Sequence, residues 1–136
     1  MLKRINLRGN SLGTEGWCAI LVALRDNKES KIESWNLSGE RINAEVTKVL
    51  AEYVSVSEVL KHLNLWNNGI GVEGAKALAS ALCVNAVLKI LEIGYNSIGN
   101  EGATALAAAL RVNGVLTTLD LRGNDLGDEG KGFEMR

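Results

Sequence analysis

The chain of 136 residues contains no proline, one histidine, one phenylalanine and two cysteines. Without proline there are no polyproline linkers and no Pro-rich recognition tails. No single charge sign dominates: 15 basic and 16 acidic residues leave a net charge of −1. Such a balance supplies no drive toward nucleic acid or acidic membranes. No apolar run approaches the roughly 18 residues that a membrane span requires, and no signal-peptide pattern opens the chain. The phosphate-loop pattern G-x-x-x-x-G-K-S/T is missing, so no nucleotide site of that kind is expected.

What is present is repetition. The stretch from Leu60 reads LKHLNLWNNGIGVEGAKALASALCVNAV, then LKILEIGYNSIGNEGATALAAALRVNGV, then LTTLDL. The numbering advances by 28 at each step: Leu60, Leu88, Leu116; Leu65, Ile93, Leu121; Asn68, Asn96, Asn124. A fixed period of this size signals a solenoid. Within one unit the period changes. Across Leu63-Asn64-Leu65 apolar and polar residues alternate, as on a strand. Beyond Gly71, residues Ala75, Leu78, Ala79 and Leu82 recur at helical spacing among strong helix formers. Each repeat is therefore strand, turn, helix and return loop. One unit buries too little by itself, and stacking makes a continuous core. Helices are wider than strands are spaced, about 10 Å against 4.8 Å. The stack must curve into a horseshoe arc, with a parallel sheet on the concave face and helices on the convex face. This defines an α/β solenoid.

The pattern L-x-x-L-x-L-x-x-N-x-L is that of a leucine-rich repeat. The string N-S-I-G-N-E-G-A-T-A-L-A-A-A-L (Asn96 to Leu110), with its copy from Asn68 to Leu82, resembles the ribonuclease-inhibitor-like class. That class includes cytosolic inhibitors, the sensing arms of NOD-like receptors and activators of Ran-type GTPases. The resemblance implies a non-enzymatic, cytoplasmic binding scaffold without a cofactor.

The expected organisation is one domain over 1–136, with repeats at about 2–30, 31–59, 60–87, 88–115 and 116–130. In the first, Leu2, Ile5 and Leu7 are the strand positions, with Ala19, Ile20, Ala23 and Leu24 inward on its helix. The second is irregular: the step from Leu7 to Leu37 is 30, with the extra pair placed in the loop Asp26–Lys31. There Trp35 replaces Leu, Glu40 replaces Asn, Val46 replaces the helix Gly and Tyr53 replaces Ala. Neither end carries a recognisable capping segment. An open core at both ends points to a piece of a longer protein or to self-association through the ends, with edge strands near Arg4–Arg8 and Thr118–Arg122. Trp17, at the open first repeat, is placed either over the core or against a partner chain.

Asn10, Asn68, Asn96 and Asn124 follow the strands, where they can hydrogen-bond backbone that the ladder leaves unpaired. Glu15, Glu73, Glu101 and Glu129 complement helix dipoles rather than share a metal. Cys18 and Cys83 lie two repeats apart, too distant to bond, and suit a reducing compartment. Cys83 is read as a small buried hydrophobe.

Alternation assigns the concave surface. One column is Asn6, Asn36, Asn64, Glu92, Asp120; the next is Arg8, Ser38, Trp66, Gly94, Arg122. Trp66 is an exposed indole in this register, with Gly94 leaving room beside it and Tyr95 diagonally adjacent. Trp, Tyr and Arg are the residues enriched at interface hot spots. Trp66 and Tyr95 are the candidate anchors, with Asn64, Glu92, Asp120, Arg122, His62 and Arg8 around them. The alternative is that the two rings merely cover each other. His62 has no Cys or carboxylate partner in its own row, so no zinc site is expected. With no pocket around it, no Ser-His-Asp triad is expected either. The sequence thus points to a module binding a protein of unknown identity, with no nucleic acid or membrane. A self-associating structural piece is the second reading and a GTPase-activating regulator, through Arg8, Arg122 or Asn64, a distant third.

Overall fold

The computed structural model describes residues 1–125. Leu126, the Glu129-Gly130 pair and the segment 131–136 lie outside the described residues.

Strands and helices alternate: α1 (Gly13–Asp26), β1 (Ser34–Asn36), α2 (Ala44–Val56), β2 (His62–Asn64), α3 (Gly71–Val84), β3 (Ile90–Glu92), α4 (Gly99–Leu110) and β4 (Thr118–Asp120). The strands form one parallel sheet in chain order. The register pairs Trp35 with Leu63, Leu63 with Leu91 and Leu91 with Leu119. These four side chains point into a single core between the strand layer and the helix layer. Each strand is very short, so most of its fixing comes from elsewhere.

Much of it comes from asparagine. The Asn96 carboxamide donates to the carbonyls of Leu65 (2.8 Å) and Gly94 (3.0 Å). Its oxygen accepts from the backbone N–H of Asn68 (3.1 Å) and Ile70 (3.4 Å). Asn68 does the same for Leu37, Leu65, Glu40 and Ile42. Asn124 donates to Ile93 and Leu121 and accepts from Asn96 N–H. Each asparagine thus pins its own strand end and the one before it, as the repeat pattern predicts.

A second row runs along the loops that enter the strands. Asn85 donates to Val54 (2.8 Å) and Ser57 (3.4 Å) at the end of α2, and accepts from Val87 and Leu88 N–H. Asn113 repeats this with Leu82, Asn85, Val115 and Leu116. These carboxamides cap the open carbonyls at the C-terminus of the preceding helix. In the second repeat the position is Ser57, whose Oγ accepts from Val59 and Leu60 N–H but has no second arm to reach back.

Helices close up where side chains are smallest. A Cβ on Gly74 would meet Ile70 at 2.5 Å and Thr47 at 3.2 Å; one on Gly102 would meet Ala75 at 3.0 Å. Glu15, Glu45, Glu73 and Glu101 occupy the first turns.

Three expectations are corrected. The segment Arg4–Arg8 forms no strand, so β1 is the first strand of the sheet. At the neighbouring strand end Glu40 lacks the carboxamide donor that Asn68 and Asn96 use to join successive repeats, and it pairs instead with Arg8 (3.7 Å). Among the described residues, the only main-chain bond reaching from residues 1–8 to the second repeat is Lys31 N–H to Leu2 (2.6 Å). On α1 the buried face is Trp17, Leu21 and Leu24, while Ala19 and Ala23 are exposed. The helix turns to bury Trp17, whose ring lies 6.3 Å from that of Trp35. Trp17 therefore covers the core. Cys83 is exposed rather than buried: it shares the outer face of α3 with Lys76 and Ser80, at i, i+4, i+7 spacing. Tyr53 packs edge-on against Trp35 and is 3 % exposed.

The asparagine rows can be tested by truncation. Asn96→Ala strands two N–H and two carbonyl groups in a site with 0 % exposure, and should cost about 3 kcal/mol in urea unfolding. Asn10→Ala, whose bonds to Leu7 and Arg8 are exposed, should cost about 1 kcal/mol or less. Burial raises the Tyr53 phenol above its ordinary 10.0, with Ser57 and Ser30 nearby acting the other way. The folded state therefore holds that proton more tightly than the unfolded state does. Stability should be full below about pH 10 and fall as the pH rises beyond it. Tyr53→Phe should flatten that alkaline limb in denaturation profiles taken against pH.

Candidate functional site: an aromatic and arginine cluster on the concave face

The turn at this point of each repeat requires a left-handed backbone. Its φ values are +76° at Gly9, +65° at Gly39, +54° at Asn67, +55° at Tyr95 and +71° at Gly123. Glycine and asparagine enter this region readily; a tyrosine there is strained. Tyr95 is nevertheless held in it, 55 % exposed. Its ring meets Trp66 at 5.1 Å between centroids and an interplanar angle of 62°, an edge-to-face contact.

Glycines make the cluster possible. A Cβ on Gly94 would collide with the Trp66 ring, and one on Gly123 would stand 2.6 Å from that of Tyr95. Each aromatic therefore lies down over a glycine of the next strand. Trp66 is half-buried as a result, where the register predicts a freely exposed indole.

Arg122 completes the group, with its guanidinium carbon 5.1 Å from the Trp66 ring centroid. The Asp120 carboxylate aims it, accepting from Nε at 3.0 Å and from Nη2 at 2.6 Å. Hydrogen bonding by that carboxylate raises the guanidinium still further. The arginine is thus a fixed cation, 63 % exposed, in contact with an aromatic face.

The remaining candidates divide. His62 Nε2 lies 3.0 Å from Glu92 Oε2 on the adjacent strand, forming a second polar pair on the same sheet. The Asn64 oxygen accepts from Trp66 N–H (2.9 Å), and Asn6, Asn36 and Asp120 make the same bond two residues on. This column therefore shapes the strand-end turn, and Glu92, one carbon longer, reaches His62 instead. Arg8 is held by Ser38 and Glu40 in the first two repeats, not by the aromatic cluster. Among the described residues no three His, Cys, Asp or Glu side chains stand close enough to share a metal ion.

Sequence reasoning found the aromatic pair but missed two features. The strain at Tyr95 was signalled by glycine at positions 9, 39 and 123. The stacking of Arg122 on Trp66 had no signal beyond their neighbouring columns.

The comparisons agree with this architecture. A leucine-rich repeat model matches residues 56–79, 84–107 and 112–130, beginning at equal steps along the chain. The chain is a leucine-rich-repeat solenoid. Among solved structures it is similar to the actin-binding site 2 of leiomodin-1, with a TM-score of 0.75 and 23 % identity, covering 82 % of this chain and 66 % of that one. It is also similar to a tropomodulin C-terminal domain from Caenorhabditis elegans, with a TM-score of 0.78 and 19 % identity, covering 97 % and 79 %. At these identities the likeness is one of fold. No curated protein matches the chain.

The packing of Trp66 on Gly94 gives a direct check. Gly94→Ala should lift the indole from the sheet and red-shift tryptophan emission, since Trp17 and Trp35 are each 2 % exposed. The loss in stability should be about 1 kcal/mol, the worth of the aromatic contact.

Proposed function

We propose that the chain is a protein-interaction module that binds its partner through the concave face. Trp66, Tyr95 and Arg122 are the anchors, and Asp120, Glu92, His62 and Asn64 give polar selectivity. The observation that carries this reading is Tyr95: an exposed tyrosine kept at φ +55° where three other repeats use glycine. A left-handed tyrosine costs folding free energy, and such strain concentrates where side chains serve recognition. The rigid parallel strands favour docking because little conformational entropy remains to be lost. Trp, Tyr and Arg in one patch match the composition of interface hot spots.

The ribonuclease-inhibitor-like subclass is our reading of the long, helix-bearing repeat. A cytoplasmic setting is supported by two unpaired cysteines, and no helix among the described residues is long and apolar enough to cross a membrane. We read the chain as a non-enzymatic module and assign Arg8 a place at the edge of the binding surface. Because one structural relative is an actin-binding site, actin is the first partner to test.

The test is co-sedimentation with filamentous actin and capture of monomeric actin, alongside capture from lysate. The wild type is compared with Tyr95→Gly and with Trp66→Ala, Tyr95→Ala. Tyr95→Gly relieves the backbone strain while removing the ring, so stability should stay within about 1 kcal/mol of wild type. Partner affinity should fall at least tenfold, and about a hundredfold or more in the double variant. Equal retention of a specific partner by all three chains would move the site off the concave face.

A further inference from the structure

At the entry side of the strands, between the end of α1 and the end of α2, lies a cavity of about 520 Å³. Leu24, Asn27, Ser30, Tyr53, Ser57 and Val59 are among the residues that line it. Small-molecule sites run from about 300 to 1,000 Å³. Two of its polar atoms, Ser30 Oγ and Tyr53 Oη, are buried and lie near each other and Ser57, yet complete no hydrogen bond of good geometry. Ser30 is 7 % exposed and Tyr53 3 %. Buried hydroxyls without partners are rare in folded proteins.

The repeat itself says what is missing. Between α2 and α3 this place is filled by the Asn85 carboxamide, which donates to Val54 and Ser57. Between α3 and α4 it is filled by the Asn113 carboxamide, which donates to Leu82 and Asn85. Between α1 and α2 the residue is Ser57. Its Oγ performs the accepting half of the asparagine's task but supplies no NH₂ group. The counterpart of the Val54 carbonyl, one repeat earlier, is that of Leu24, and no side chain among the described residues donates to it. Where the later repeats have Ala81 and Ala109, this repeat has Tyr53, which lines the same cavity.

We propose that this cavity binds a small molecule bearing a primary carboxamide, in the place that Asn85 and Asn113 fill from within the chain. The ligand NH₂ donates to the uncapped carbonyl at the end of α1, where the helix dipole favours a donor. The ligand carbonyl accepts from the Tyr53 and Ser30 hydroxyls. Its body packs on Leu24 and Val59. A carboxylic acid of the same shape fits poorly, because its carboxylate offers the helix end no donor.

The experiment is a titration of the isotopically labelled full chain with nicotinamide, followed by backbone amide NMR. Saturable shifts confined to residues 24–31 and 53–59 are expected, with Kd about 1 mM or tighter for so small a probe. Ser57→Asn supplies the carboxamide from the chain itself, so it should keep a dispersed spectrum and weaken nicotinamide binding at least tenfold. Tyr53→Phe, which retains the ring, should weaken it severalfold, and serves if Ser57→Asn does not fold. Nicotinate is the control, its charge met by Arg25, Lys28 and Lys31 on the lining as well as by Asp26 and Glu58. Equal affinity for nicotinate and nicotinamide would overturn the proposal. So would undiminished binding to a folded Ser57→Asn chain, or no saturable shift in the wild type.

Discussion

The carboxamide of asparagine, with a donor and an acceptor on one rigid plane, is the part on which this solenoid depends. Strands this short make too few ladder bonds to set their own spacing, and the chain must leave the sheet immediately after them. At that exit, backbone N–H and carbonyl groups from two successive repeats face the interior and need partners. Asn68, Asn96 and Asn124 provide them, each spanning two repeats, so that the rows fix the rise from one unit to the next. Asn85 and Asn113 do the same on the opposite side. The leucines supply the driving force through burial, but a packed apolar layer is indifferent to small slips. The two polar rows remove that freedom.

Much of this was legible in the sequence, and the reason is periodicity. Repeated units share one environment, so a residue that recurs at a fixed step is explained once and applies throughout. The strand leucines, the helix faces of α3 and α4, the glycine contacts at 74 and 102 and the strand-end asparagines were all readable in this way. One misreading falls where the period breaks, and two go against a period that holds. Residues Arg4–Arg8 carry strand spacing but lack the partner that Glu40 fails to be. The expected inward face of α1, Ala19, Ile20, Ala23 and Leu24, departs from the phase of α3, whose Ala75, Leu78, Ala79 and Leu82 correspond to Trp17, Ile20, Leu21 and Leu24. Cys83 was placed by its residue type, although its phase on α3 puts it outside.

The candidate site shows the limit differently. Columns on a sheet follow from alternation, so Trp66, Tyr95 and Arg122 could be placed near one another without coordinates. What alternation does not give is side-chain direction. The indole lies flat because Gly94 permits it, and the guanidinium sits over that ring because Asp120 holds it there. Likewise the column Asn6, Asn36, Asn64, Asp120 looked like a row of free recognition groups. Its oxygens are occupied in holding the turns. Local hydrogen bonding by short polar side chains competes with any outward role, and only atomic positions show which prevails.

The substitution of Glu40 for asparagine has a mechanical consequence. At the seams between later repeats, strand pairing and carboxamides act side by side, so a pulling force is shared among many bonds loaded together. From residues 1–8, a single main-chain bond at Leu2, aided by the Arg8 side chain, reaches the second repeat. Tension applied along the chain would concentrate there. The first repeat's extended segment would peel away as a leader while the four-stranded body stayed whole, giving the molecule a built-in point of first yield.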